Sequence, residues 1–340
     1  FHRPLASQVW LRNATVYDSQ FGADYVPKNA DDFKRVLQAM TKPQQGFYGI
    51  GGALNATLFL RPISAMFGAP QNWRLESSGK LTSAYETAEF KEATGYVRAL
   101  WAAGVYHPDA PTQEPGSISA GKFAIQYDTF NSWQNDIRVG ANHAPPLSFK
   151  LLPPFPAHDG QKPGFFTSGG YGGAVALKKA SPDRVKELLR ILNWLAAPFG
   201  SQEDLLLSYG VKDIDYAVDD KGAIKPTAKS NPDANYVPWK YTAQHPFVFY
   251  AIDLPNYAGV ASAAEKAVIP YAVADPTLGY VSPTASSKYV TLNKSLTDGL
   301  GEVVTGKRPL TDYDQLVKDF LNNGGEQIRK EFQDAITAAK

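Results

Sequence analysis

The 340-residue sequence predicts an α/β protein of two domains. Three observations point there. Short stretches of alternating apolar and polar residues, such as Lys122–Tyr127, lie between longer stretches with apolar residues at helical spacing. The length fits two domains of roughly 100–200 residues each. A composition of 44% hydrophobic and 20% charged residues is ordinary for a chain that buries a core.

The elements follow in order. Asn29 is an N-cap for a helix that carries Phe33, Val36, Leu37 and Met40 on one face, with Asp31 and Asp32 at its positive end. Lys42-Pro43 stops it. Phe47 to Pro70 reads as a strand, a turn and a short buried helix. Asn72–Leu81 reads as a hairpin around Ser78-Gly79. Ser83 and Glu86 form a capping box before a helix with Phe90, Ala93, Val97, Leu100 and Trp101 inside. After the strand at Lys122–Tyr127, the stretch Phe130 to His143 reads as a loop and a short helix. Residues 151–164 read as a linker, and 174–177 as a strand. Ser181-Pro182 starts a helix to Ala197, with Val185, Leu188, Leu189, Leu192 and Leu195 inside. Residues 211–283 are rich in loops. Helices are expected at about 285–304, 312–322 and 324–338.

Composition and motifs exclude several functions. With 34 Lys and Arg against 33 Asp and Glu, the net charge of +1 does not suit a nucleic-acid binder. The absence of Cys rules out thiol catalysis and disulfides. No apolar run reaches the ~18 residues of a membrane helix. Gly116 to Lys122 matches seven positions of a phosphate loop, but Phe123 stands where a magnesium-holding hydroxyl belongs, and a strand follows instead of a helix. Ser77-x-x-Lys80 and Ser119-x-x-Lys122 lack the partner motifs of acyl-transfer enzymes. The five His are scattered, and Asp213, Asp215, Asp219 and Asp220 read as a solvated turn. No metal and no cofactor is expected. A carboxylate pair for glycoside hydrolysis stays open, since the fold and not the spacing sets such pairs. Aromatics at 12% and 53 Gly and Pro together suit rings carried on loops against a ligand, or a large core with long connections.

Five stretches together resemble one family. They are Val26 to Ile50, Ser117 to Trp133, Gly169 to Gly200, Leu206 to Lys225 and Glu302 to Ala335. Their order and character are similar to the extracellular solute-binding proteins of ABC importers, in particular the sugar-binding lipoproteins of family 1. Gly121-Lys-Phe-Ala-Ile125 follows a family signature that usually ends in Met. The resemblance implies a two-lobed, periplasmic-binding-protein-like fold of type II with a hinge, closing on a ligand between the lobes. It assigns 1–165 mostly to the C-terminal lobe, 166–280 to part of the N-terminal lobe, and 281–340 to a crossing and helices returning to the C-terminal lobe. It also places Phe1 well inside a full-length member, with a signal peptide, a lipid-anchoring site and the first strands upstream.

The implied activity is non-catalytic capture of an oligosaccharide at the cell surface or in the periplasm. The implied partners are the permease subunits of the importer and a carbohydrate, with no nucleic acid, and the membrane is reached only through the lipid anchor of a monomer. Two alternatives stand: a carbohydrate-active enzyme, or a binder of peptides or other metabolites. Sugars need rings for their CH faces and matched polar groups for their hydroxyls. Asp128, Phe130, Asn131 and Trp133 have that character directly after the 122–127 strand, and the resemblance turns Trp133 to the cleft. Tyr171 lies in the Gly-rich crossing. Trp10 and Arg12 align with a segment that places a ring at the cleft. Arg61, Tyr280 and Tyr289 complete the candidate ligand-binding set. Trp73, Trp101, Trp194 and Trp239 read as packing.

Overall fold

The computed structural model describes residues 8–52, 54, 56–112, 116–167, 175–198, 200–220, 222, 224–230, 242–243, 254 and 256–339. The chain packs as two units, one of Ala6–Thr167 with Ala264–Lys340, the other of Phe1–Leu5 with Ser168–Ala263.

The larger unit is built on a four-stranded sheet. Strand β1 (Gln8–Asn13) is followed by helices α1 (Ala14–Phe21) and α2 (Ala30–Met40), then by β2 (Tyr48–Ile50). Asn29 caps α2 by accepting from the Asp32 amide, and Phe33, Val36, Leu37 and Met40 are all buried. Helix α3 (Ala56–Met66) contains Pro62, and Ser64 Oγ donates to the Arg61 carbonyl at 2.9 Å beside it. The hairpin of β3 (Trp73–Leu75) and β4 (Leu81–Ser83) turns at Gly79, whose φ of 84° favours glycine. Helix α4 (Ala88–Ala102) buries Phe90, Ala93, Val97 and Leu100, as its periodicity predicts. The Ser83 amide donates to Glu86 at 2.9 Å, and Thr87 then caps the helix.

Strand β5 (Phe123–Thr129) runs straight into helix α5 (Phe130–Gly140), and β6 (Phe149–Leu151) follows. The sheet order is β2-β5-β1-β6, with β2 parallel to β5 and β1 antiparallel to both β5 and β6. Register pairs Trp10 with Tyr127 and Val9 with Asp128. The phosphate-loop-like run is a tight turn: Gly121, at φ 73°, ends a 3-10 turn over Ile118–Ala120 and feeds β5. The expected linker at 151–164 is packed chain instead. Leu152 donates to the Trp10 carbonyl, and Leu152, Phe155 and Ala157 are core residues. Gly164 lies so close to the Ala65 carbonyl that a Cβ there would clash. Strand β7 (Phe165–Phe166) follows.

The smaller unit contains helices α6 (Pro182–Leu195) and α7 (Gln202–Tyr209) and the hairpin of β8 (Tyr216–Val218) and β9 (Ile224–Pro226). Ser181 caps α6 as expected. The strand expected at 174–177 is not formed over the described residues 175–177. Helix α8 (Tyr257–Val268) leads back, and β10 (Ala272–Val273) pairs in parallel with β7.

The chain ends on α9 (Pro283–Thr305), α10 (Tyr313–Phe320) and α11 (Glu326–Ala338), close to the expected bounds. Leu296 and Leu300 of α9 and Tyr313, Val317 and Phe320 of α10 join α2, α3, α4 and the sheet in one core. Among the described residues, no helix is long and apolar enough to cross a membrane.

Candidate functional site

Two neighbouring concavities open on the larger unit. The first is apolar and narrow. Trp10 and Tyr127, paired across β1 and β5, form its polar-edged wall with ring centroids 5.1 Å apart. Pro62, Phe155 and Phe166 complete it. Trp10 also makes an edge contact with Phe33 at 5.9 Å, which holds the indole in place.

The second concavity is larger, about 140 Å³, and has the mixed character of a ligand site. Helix α3 supplies Arg61 and Ser64, the approach to β3 supplies Gln71 and Asn72, and α9 supplies Tyr289 and Asn293. Tyr85 and Phe166 add rings. The Arg61 guanidinium lies 6.0 Å from the centre of the Phe166 ring, so this pair separates the two concavities.

The polar groups of the wall are positioned by the fold. Tyr85 donates to Asn293 Oδ1 at 2.8 Å, and its carbonyl accepts from Tyr313. Gln71 Nε2 donates to the Thr167 carbonyl at 2.8 Å, which leaves Gln71 Oε1 buried with no donor. Asn72 donates to Asp275 at 2.5 Å, and the Thr277 amide and hydroxyl fill the other Asp275 oxygen. Burial pushes the phenols of Tyr85 and Tyr289 above their ordinary pKa. The Arg61 charge pulls both the other way, so a positive potential reaches the wall.

The structure thus brings Arg61 and Tyr289 together in one concavity and places Trp10 in its neighbour. Asp128 is half-buried, and its carboxylate accepts from Gln126 Nε2 at 2.8 Å and from the Thr129 amide. Tyr280 packs against Trp73, Leu81, Ile328 and Ile336. Tyr171 and the side chain of Asn131 lie outside the described residues.

Three expectations are corrected. Phe130 and Trp133 are each 1% exposed. No loop precedes α5, because Thr129 ends the strand and accepts from the Ser132 amide as the helix cap. Phe130 and Trp133 then stand one turn apart on the inward face, and the indole donates to the Phe149 carbonyl at 3.2 Å. A ring so enclosed offers no face to a sugar. Arg12 is also buried, with its nitrogens donating to Asp18, the Leu151 carbonyl and the Ala23 carbonyl. Burial alone would raise the Asp18 pKa, but hydrogen bonds from Lys150 and Arg12 outweigh it and hold the carboxyl below its usual range. Arg12 is therefore a structural brace.

Gln71, Tyr85, Phe166 and Asn293 were not singled out from the sequence. Pro70-Gln-Asn-Trp73 offered the only local signal, two amides beside a Trp at a Pro-led turn. The other residues come together through packing that sequence spacing does not show. Among the described residues, no cluster of three or more His, Asp and Glu is arranged to hold a metal ion.

No family model matches the chain. The polygalacturonan/rhamnogalacturonan-binding protein YtcQ of Bacillus subtilis is 26% identical over 341 aligned positions, covering 92% of this chain and 65% of YtcQ. Lipoprotein LipO of the same organism is 22% identical, covering 97% of this chain and 68% of LipO. The chain thus spans about two-thirds of the length of these curated relatives. Among solved structures, the Streptococcus pneumoniae ABC-transporter substrate-binding protein FusA, in complex with fructo-nystose, superposes with a TM-score of 0.64 at 17% identity, over 99% of this chain and 73% of FusA. The alginate-binding protein AlgQ2 gives 0.63 at 13% identity, over 98% and 72%. The S. pneumoniae N-glycan transport solute-binding protein NgtS gives 0.60 at 12% identity, over 99% and 73%. The chain has the fold of the two-lobed substrate-binding proteins, and YtcQ, FusA, AlgQ2 and NgtS bear the names of binding proteins rather than enzymes.

Proposed function

We propose that this protein is the solute-capturing component of an ABC importer, that its solute is an oligosaccharide, and that it binds the sugar without transforming it. The observation that carries this is the match of nearly the whole chain to a fold whose solved members bear the names of glycan binders. The concavity beside α3 supports it chemically. Tyr289 offers a ring, while Gln71 and Asn293 offer amides of the kind that sugar hydroxyls require. On this reading the protein works outside the cell and hands its ligand to permease subunits. Residues 1–165 and 281–340 then belong chiefly to one lobe and 166–280 to the other.

Thermal unfolding against a panel of oligosaccharides, with chromatography of each sugar afterwards, tests the proposal. A ligand present at 100 times its dissociation constant adds ~2.7 kcal/mol of stability. A shift with the sugar recovered intact is the expected result. A shift with cleaved sugar makes the protein an enzyme, and no shift with any sugar while a peptide or other metabolite gives one replaces the solute class.

A further inference from the structure

Among the described residues, Arg61 is the one charged group lining the larger concavity, and no described carboxylate meets it. In the same unit Arg12, Arg35, Arg74, Arg308 and Arg329 each meet a carboxylate within 3.2 Å, while Arg98 donates to the Val303 and Arg308 carbonyls. Arg61 meets none among the described residues, and its guanidinium rests on the Phe166 ring instead. None of the described residues lining the concavity is acidic. Asp275, the carboxylate whose field reaches Tyr289, is already engaged by Asn72 and Thr277.

We infer that Arg61 anchors a carboxylate of the ligand, and that the saccharide taken at this concavity is therefore a uronate-bearing one; this rests on the reading of the protein as a carbohydrate binder. The chemistry is specific. A guanidinium presents paired donors that match the two oxygens of a carboxylate, and its weak hydration lets it give up water cheaply. The guanidinium sits 6.0 Å from the centre of the Phe166 ring, at the outer reach of a cation–π contact. Around it, Tyr289 offers a ring to the sugar face. A neutral oligosaccharide would use the rings and amides but leave the guanidinium unanswered.

The test is isothermal titration of the full chain with trimers of galacturonate, mannuronate and glucuronate, each beside its carboxyl-reduced counterpart, in which a neutral hydroxymethyl replaces the carboxylate. At least one acid is expected to bind about tenfold or more tightly than its reduced form, the scale of one charge-assisted hydrogen bond, and to weaken as salt rises. R61Q should erase that preference by weakening the acid about tenfold more than its reduced form, and R61K should restore part of it. Arg61 is exposed, so R61Q should unfold at the wild-type temperature, which the same samples verify. Sugars that bind equally with and without the carboxylate, or an acid whose affinity survives R61Q, overturn the assignment and leave saccharide binding standing. If no sugar binds while another metabolite does, the underlying reading fails and takes this inference with it.

Discussion

Helices α2 and α6 carry the same sequence signal and end in different surroundings. Both have an Asx or Ser cap, acidic residues in the first turn and apolar residues at helical spacing. On α2, Phe33, Val36 and Leu37 are 0% exposed, locked among the sheet and α4 in the core of the larger unit. On α6, Val185, Leu188 and Leu192 are half-covered, Leu189 is 52% exposed and Trp194 is 45% exposed, and only Leu195 is buried. Trp194, expected as a core ring, is thus corrected. Periodicity states which face of a helix is apolar. It does not state whether another element lies against that face, because that contact comes from residues far away in sequence.

This contrast can be broken by measurement. Phe33→Ala should cost ~3–5 kcal/mol in urea unfolding, since the ring leaves a cavity in a packed core. A cost below ~1 kcal/mol would mean that the core of the larger unit relaxes freely, and the contrast would collapse. Asp18→Asn comes next. It strips the charge partner from buried Arg12 and should cost about 2 kcal/mol. Because the Asp18 carboxyl is held below its usual range, wild type and variant should converge as pH falls through that depressed value. Curves that stay apart in acid would show that Asp18 acts by shape and not by charge.

A smaller effect, confined to acid, is expected at the start of α9. Hydrogen bonds from Ser282, Gln327 and Thr284 hold the Glu331 carboxyl down, at about 2. A depressed carboxylate stabilises the fold above its ordinary value of 4.5 and loses that contribution as pH falls toward 2. The melting temperature of Glu331→Gln should therefore lie below wild type at neutral pH and approach it near pH 2. A constant gap across that range would remove the charge from the explanation. The smallest effect belongs to α6, where Trp194→Ser should change stability by no more than ~0.5 kcal/mol. A loss several times larger would show that α6 is covered in solution and that the two helices are alike after all.

The arginines repeat the lesson at the level of function. The sequence places Arg12 beside Trp10 and counts both Arg12 and Arg61 among the ligand-binding candidates. The fold closes Asp18 and two carbonyls around Arg12, and it leaves Arg61 beside a ring with no described carboxylate near. Asp18 lies six positions from Arg12, but Leu151 and Phe166 are each more than a hundred positions from the arginine they meet.

Local chemistry by itself determined the α/β class, the caps of α2 and α6, the β3–β4 hairpin and the three terminal helices. These depend on side chains bonding to backbone groups three or four residues away, or on a turn that needs glycine, and such relations are written in the order of residues. Tertiary structure alone decided that β5 passes directly into α5, which turned Phe130 and Trp133 from ligand candidates into core, and that Arg61, Gln71, Phe166 and Tyr289 share one wall. Those outcomes depend on which apolar faces meet and exclude water together. That is a property of the whole packed chain and not of any stretch of it.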